Sequence, residues 1–180
     1  MRALVIYESM YGNTHLVADA IAAGLGENAR AVSLHEVTAD QVREADLIVV
    51  GGPTHVHGLT RESTRQAAAE AAAEPDSDLE MDPDSYGDGL REWFSGLPPV
   101  SGAALAAAFD TRMSGPPAFT GRASKGIAKR LHQHGYTLVV EPESFIVSRE
   151  NELVDHEIEH ARTWGADIAA VGADRAARAG

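Results

Sequence analysis

The sequence contains no cysteine, which excludes disulfide bonds, thiol catalysis and cysteine-ligated iron–sulfur clusters. It also lacks any apolar run near the ~20 residues that a membrane-spanning helix needs. The apolar start of the chain, residues 3–7, is too short for the core of a signal peptide and is followed at once by Glu8. We therefore expect a soluble cytoplasmic protein with no membrane partner.

Basic residues are scarce, since 15 Lys and Arg stand against 27 Asp and Glu and give a net charge of −12. Nucleic acids and anionic membranes are polyanions, so neither is an expected partner, whereas a basic protein surface is compatible with this charge. The length of 180 residues and a hydrophobic fraction of 44% suit a single domain, residues 1–180, with a sizeable core.

Short apolar segments alternate with helix-like segments along the chain. The apolar segments are mostly continuous, which is typical of strands covered on both faces. The five predicted strands are residues 3–7, 29–34, 46–51, 103–109 and 136–147. The predicted helices are residues 13–25, 40–44, 66–74, 90–95, 119–134 and about 152–172. This alternation predicts an α/β fold, a doubly wound five-stranded parallel sheet with helices on both faces.

Residues 61–99 form an acidic insertion in this pattern. Residues 66–89 hold eight acidic residues and no Lys or Arg, so they account for eight of the twelve net negative charges. Low hydrophobicity and interruption by proline predict a mobile surface loop over residues 74–84. Two interpretations remain, a solvated insertion or an acidic flap beside the site that steers a basic protein partner.

Three segments at one edge of the predicted sheet are rich in Gly, Pro, Ser and Thr. They follow the first, third and fourth strands and are called here the first loop (residues 8–15), the second loop (residues 51–58) and the third loop (residues 110–117). In open parallel sheets, ligands bind beyond the carboxyl ends of the strands, at the topological switch point. The three loops are therefore the candidate binding site.

The first loop has the chemistry of a phosphate cradle. Gly12 permits a tight turn and close approach of a ligand, and the free amides and dipole of the following helix favour an anion. Ser9, Asn13 and Thr14 add neutral donors, and the loop has no Lys or Arg. The alternative is a plain Ser or Asn helix cap without a ligand.

Other motifs lack the context that their chemistry needs. No G-x-x-x-x-G-K-[ST] occurs, and residues 24–29 match G-x-G-x-x-A only at a helix end. The sequence His156-Glu157-Ile158-Glu159-His160 matches H-E-x-x-H, but both His lie near the solvent side of a predicted helix and no third His follows at metzincin spacing. We therefore predict no zinc site and no catalytic acid or base, with adventitious metal binding by the His pair as the alternative.

The first loop resembles the phosphate loop of the flavodoxin family, T/S-x-T-G-x-T, over Ser9-Met10-Tyr11-Gly12-Asn13-Thr14. The segment Gly51-Gly52-Pro53-Thr54 resembles the second flavodoxin loop, and Phe109-Asp110-Thr111-Arg112 begins what would be the third. The resemblance covers nearly the whole chain apart from residues 61–99. It implies the strand order 2-1-3-4-5, FMN at the switch point, and one- or two-electron transfer by the flavin.

The resemblance also implies a role for individual residues. The FMN phosphate would be held by Ser9, Met10, Tyr11, Gly12, Asn13 and Thr14. One side of the isoalloxazine would be lined by Pro53, Thr54, His55 and Val56, and the other by Asp110, Thr111, Arg112 and Met113.

The chain departs from the flavodoxin pattern in three ways. Tyr11 stands where the family has Thr, which puts one hydroxyl contact of the family in doubt. The second and third loops lack the usual Trp and Tyr, which leaves His55, His57, Met113 and Phe119 as candidates for stacking on the flavin. Arg112 places a cation near the ring, where it would raise the reduction potential, or else forms a surface ion pair.

The expected function is FMN-dependent electron transfer between a reductase and a redox enzyme. A first alternative is an FMN-dependent NAD(P)H:quinone oxidoreductase, whose substrate pocket would be walled by the insertion together with His55 and His57. A second alternative is a flavodoxin-fold binding module without flavin.

Overall fold

The first strand, β1, lies inside the sheet between β2 and β3, and the remaining strands extend the sheet beyond β3. The computed structural model describes residues 1–55, 58–85, 87–100 and 104–179. Its strands are β1 (Ala3–Tyr7), β2 (Ala29–Ser33), β3 (Leu47–Pro53), β4 (Leu105–Met113), β5 (Thr137–Leu138) and β6 (Glu143–Val147). Its helices are α1 (Asn13–Leu25), α2 (Ala39–Glu44), α3 (Glu62–Ala72), α4 (Leu90–Gly96), α5 (Pro117–Thr120), α6 (Ala123–Gln133) and α7 (Glu157–Ala179).

The strand order is β2-β1-β3-β4-β5, with β6 also paired to β4, and every one of these pairings is parallel. The predicted order 2-1-3-4-5 is therefore confirmed. The predicted fifth strand, residues 136–147, is divided into two strands. β5 pairs with the start of β4 and β6 with its end. Pro142 directly precedes β6 and has no N–H to donate to a strand ladder, which explains the interruption.

The two faces of β1 enter different hydrophobic cores. Leu4 and Ile6 pack with residues of α2, α4 and α6, whereas Val5 and Tyr7 pack with residues of α1 and α7. Successive side chains of a strand point to opposite faces, so both faces of this sheet are covered by helices. The doubly wound arrangement expected from the continuous apolar segments is confirmed.

Three predicted helices have clearly different bounds in the structure, and the one predicted at residues 66–74 is α3, which begins four residues earlier. The segment 119–134 is divided into α5 and α6, with Gly121 between them at a φ of +79°. The last helix begins at Glu157 rather than near residue 152, because Leu153 first forms an antiparallel bridge with Val147. His156 has a φ of +72°, a left-handed conformation that directly precedes the helix.

The acidic insertion is attached to the first loop. The backbone N–H of Asp82 donates to the carbonyl of Met10 at 2.8 Å, and Asp82 is only 4% exposed. This part of the insertion therefore packs against the body of the domain, whereas Glu74, Asp76 and Asp78 are exposed. In the part of the chain that the structure describes, no helix is long and apolar enough to cross a membrane.

Candidate functional site

A cavity of about 320 Å³ lies where the three loops meet, at the carboxyl ends of β1, β3 and β4. Ten of the residues predicted for the site line it, namely Met10, Tyr11, Asn13, Thr14, Pro53, Thr54, His55, Thr111, Arg112 and Met113. Val147 and Asn151 complete the lining. The sheet topology thus brings together side chains that are about 100 residues apart in the sequence.

Gly12 occupies the turn between β1 and α1 with a φ of +90°, a left-handed conformation that glycine adopts without steric cost. No atom lies within 4 Å of the position that a Cβ on Gly12 would take. The Gly12 N–H donates to Ser9 Oγ at 3.1 Å, which fixes the turn. The first N–H groups of α1 have no acceptor within the helix, so this open space is favourable for an anion.

The other side chains of the first loop are held by neighbouring elements. Tyr11 donates its hydroxyl hydrogen to the carbonyl of Ala68 at 3.1 Å, so this hydroxyl points toward α3. Asn13 Nδ2 donates to the carbonyl of Asn151 at 2.9 Å. The hydroxyl oxygens of Thr14 and Thr111 lie 2.8 Å apart in a buried hydrogen bond. These contacts tie the first loop to the end of β4 and to the turn after β6.

The part of the second loop that ends at His55 is held by contacts with β4 and α6. The N–H of Thr54 donates to the Thr111 carbonyl at 2.8 Å, and its hydroxyl oxygen accepts from the N–H of Ala123 at 2.9 Å. Burial lowers the pKa of His55 below its usual value, so the imidazole is neutral at pH 7. Val56 and His57 lie outside the described residues.

The residues of the predicted third loop begin as strand, since β4 extends to Met113. Asp110 is fully buried and does not line the cavity. Its Oδ2 accepts from the N–H of Ser124 at 2.7 Å, so this carboxylate anchors the start of α6. In the structure Asp110 therefore positions a helix, and the flavin contact that the resemblance implies stays a prediction.

Arg112 supplies the only Lys or Arg side chain among the described residues that line the cavity. Its Nη1 donates to the carbonyl of Gly115 at 2.9 Å and to Thr120 Oγ1 at 3.1 Å. Its Nε is buried without a hydrogen-bond partner, and no carboxylate pairs with this guanidinium within the described ranges. Arg112 is thus a fixed cation at the cavity wall, held by carbonyl groups.

Residues 4–67 match a family model described as "Flavodoxin domain". The whole fold extends this match, since a flavodoxin from the domain Archaea superposes with a TM-score of 0.63 over 96% of this chain and 99% of that chain, at 21% identity. The chain has the flavodoxin-like fold. No curated protein sequence matches it.

Two further structures resemble this flavodoxin-like chain. Oxidised flavodoxin 1 from Bacillus cereus gives a TM-score of 0.62 at 18% identity, covering 94% of this chain and 98% of its own. The flavodoxin, WrbA-like protein from Agrobacterium tumefaciens gives a TM-score of 0.58 at 22% identity, and the match covers 96% of this chain and 97% of that protein's chain. At these identities the likeness establishes the fold.

The stacking candidates of the flavodoxin-like chain are distributed unevenly. His55 and Met113 line the cavity, whereas Phe119 is 76% exposed and does not line it. His57 falls outside the described residues. Tyr11 also lines the cavity, so an aromatic ring is present in the first loop rather than in the second or third.

Sequence reasoning missed Val147 and Asn151, which line the cavity from the end of β6 and the turn that follows. Asn151 has a φ of +61°, and its side-chain Oδ1 lies 3.2 Å from Asn13 Nδ2. The signal was available, because the rule that ligands lie beyond the carboxyl ends of parallel strands applies to this strand as well.

A larger cavity of about 690 Å³ lies between α2 and α4 of the flavodoxin-like domain. Its lining includes Val42, Trp93, Leu97 and Tyr136, and none of the three loops contributes to it. The loops after β1, β3 and β4, where α/β folds of this strand order place their ligands, line only the smaller of these two cavities, so the smaller cavity is the candidate site.

The H-E-x-x-H sequence is divided by the start of α7. His156 precedes the helix in a left-handed conformation, while His160 Nδ1 lies 3.0 Å from Glu157 Oε2. The two His therefore do not lie on one regular helical turn, as the zinc-protease motif requires.

Proposed function

We propose that this protein binds FMN in the cavity formed by the three loops and carries electrons between a reductase and a redox enzyme. The observation that carries the proposal is the open space at Gly12, at the amino end of the 13-residue helix α1 and between Tyr11 and Asn13, which both line that cavity. A glycine in a left-handed turn, free helix amides and a missing Cβ together favour a phosphate group.

The residues that line the cavity fit the remaining parts of FMN. FMN, when bound, would supply one- or two-electron transfer. Neutral His55 and Met113 would contact the ring system, and Thr54 and Thr111 would position it from the ends of β3 and β4. Arg112, whose Nε is buried without a partner, would stabilise negative charge on the reduced ring.

The composition of the cavity wall favours a carrier over a quinone reductase. A reductase needs a substrate pocket over the flavin, and residues 61–99 were expected to form its wall. None of the described residues in that range lines the cavity. The insertion instead contacts the first loop, on the side of the proposed phosphate site.

We further propose that the partners carry basic docking surfaces. Met113 is 43% exposed and Phe119 is 76% exposed, which provides apolar contact area near the cavity. The exposed acids of the insertion, Glu74, Asp76 and Asp78, would attract a basic partner from a distance.

The absorption spectrum of the purified protein tests the proposal. Flavin bands, or their appearance after addition of FMN and gel filtration, are expected. Anaerobic mixing with NAD(P)H alone should leave these bands unchanged over seconds, and addition of a flavodoxin reductase should bleach them. Rapid bleaching by NAD(P)H alone would favour the quinone reductase, and a failure to take up FMN would support the binding module without flavin.

A further inference from the structure

Three potential metal ligands converge next to the first loop, outside the cavity described above. They are His15 in the first turn of α1 and two acids of the insertion, Asp82 and Asp84. One ligand atom from each of the three side chains lies within 4.8 Å of the others. None of them lines the cavity proposed for FMN.

Asp82 is the unusual member of this group. Its Oδ1 accepts a hydrogen bond from the N–H of Asp84 at 2.9 Å, whereas its Oδ2 is buried and has no hydrogen-bond partner. The residue as a whole is 4% exposed. Burial of a carboxylate oxygen without a partner is costly, so the chemistry of this position calls for a cation.

The separation of the ligand atoms indicates which kind of cation fits. His15 Nδ1 and Asp82 Oδ2 lie 3.5 Å apart, which is longer than the ordinary N–H···O distance of about 2.7–3.2 Å. Two ligands on one tetrahedral zinc ion, each bonded at about 2.0–2.1 Å, stand about 3.3–3.4 Å apart. The pair therefore has the spacing of two ligands that share a metal.

Neighbouring groups hold the three ligands in place. The ring of Tyr7 stacks on His15 with centroids 4.5 Å apart, and the Tyr7 hydroxyl donates to Asp84 Oδ2 at 3.1 Å. The other ring nitrogen of His15, Nε2, lies 3.7 Å from a carboxylate oxygen of Asp19. At this distance Asp19 contributes negative charge beside the imidazole rather than a hydrogen bond.

We propose that His15, Asp82 and Asp84 bind one divalent transition-metal ion, with Zn²⁺ as the best fit. Imidazole together with carboxylates suits this class, and two carboxylates balance the charge of the ion. The His15 side chain is 38% exposed, so an ion can enter and water can complete its coordination. The bound metal would fasten the acidic insertion to the start of α1, and this site does not depend on FMN.

Calorimetric titration of Zn²⁺ into the tag-free, chelator-treated full chain tests the proposal. One equivalent should bind, and Co²⁺ in its place should give visible absorption bands. His15→Gln and Asp82→Asn should each weaken binding by about tenfold or more. If Asp82→Asn fails to fold, as judged by circular dichroism, the measurement on His15→Gln decides the result, because His15 is partly exposed and its replacement should not disrupt the core.

The control variants separate this site from general binding of metal by acidic or His-rich surfaces. Asp76→Asn with Asp78→Asn removes two exposed acids of the same insertion, and His160→Gln disrupts the other His pair. Both variants should bind Zn²⁺ as the wild type does. The proposal is overturned if the wild type does not bind, if His15→Gln binds equally well, or if either control loses affinity.

Discussion

Glu8 Oε2 accepts a hydrogen bond of 2.9 Å from the backbone N–H of Leu90, the first residue of α4. The other carboxylate oxygen, Oε1, accepts the hydroxyl hydrogen of Thr60. Thr60 and Leu90 directly flank residues 61–89, so a single carboxylate directly after β1 holds both ends of this part of the acidic insertion. Residues 61–89 therefore leave and rejoin the domain at one point, next to the first loop.

Glu8 gives a prediction about stability and pH. Burial raises the pKa of Glu8 above its usual 4.5, although the hydrogen bonds from Thr60 and Leu90 act in the opposite direction. The folded protein therefore favours the neutral carboxyl, and that contribution to stability is lost as the pH rises through the raised pKa. The Gln side chain of Glu8→Gln stays neutral at every pH. The free energy of unfolding of this variant should therefore rise relative to that of the wild type as the pH increases from about 4.5.

Urea unfolding between pH 4 and pH 8 measures this difference. Glu36→Gln, which removes an exposed carboxylate, serves as the matched control for the change in net charge. A difference between Glu8→Gln and the wild type that is constant with pH, or that follows the control, would contradict the buried-carboxyl interpretation.

The proposed phosphate site gives a second prediction. Gly12→Asp places a carboxylate in the space proposed for phosphate, and two unit charges 4 Å apart repel by about 4 kcal/mol near a protein surface. FMN affinity should fall by at least ~100-fold, as measured by fluorescence titration of the apoprotein.

Gly26 provides a closely matched control for this variant. It also has a left-handed φ, +100°, and no atom within 4 Å of a Cβ position, but it lies at the opposite end of α1. Gly26→Asp therefore also places an L residue at a positive φ, but without charge in the cavity. Equal FMN affinities for the two variants would remove the assignment of phosphate to the first loop.

The exposed acids of the insertion give a third prediction, which depends on the proposed partners. Replacing Glu74, Asp76 and Asp78 with their amides should slow electron transfer to a small basic cytochrome at 10 mM salt. The effect should largely disappear at 0.5 M salt, because the screening length falls from about 30 Å to a few ångströms. Stopped-flow kinetics of the reduced protein provide the measurement.

A control triple variant removes the same charge elsewhere on the surface, through Glu27→Gln, Glu36→Gln and Asp167→Asn, all of which are exposed. Its rate should change less at low salt than that of the insertion variant. If the insertion variant is slowed equally at both salt concentrations, these acids do not steer a partner.

The backbone organisation could be predicted from the sequence because it depends on local patterns. Helix α1 was predicted with the bounds that the structure has, since a Gly before Asn13 and another after Leu25 delimit it. The continuous apolar strands predicted a sheet covered on both faces, and three loops at one edge predicted the location of the cavity. In each case the signal lies within a few neighbouring residues.

The contacts of individual polar side chains could not be predicted from such local patterns. Asp82 was predicted as part of a solvated acidic loop, yet it is buried against His15, 67 residues earlier in the chain. Asp110 anchors α6 instead of lining the cavity, and Glu8 joins two distant segments. Burial of such groups is determined by tertiary partners, and nothing in the local composition identifies those partners.

The border of the sheet beside β4 has a consequence for the behaviour of the protein at high concentration. A long, flat edge strand offers a row of free N–H and C=O groups on which a second chain can add a strand. Here the edge consists of two residues of β5 and five of β6, with Pro142 between them, and Leu153 folds back onto Val147. This stepped edge leaves no continuous template, so this border of the sheet is protected against the addition of a strand from a second chain.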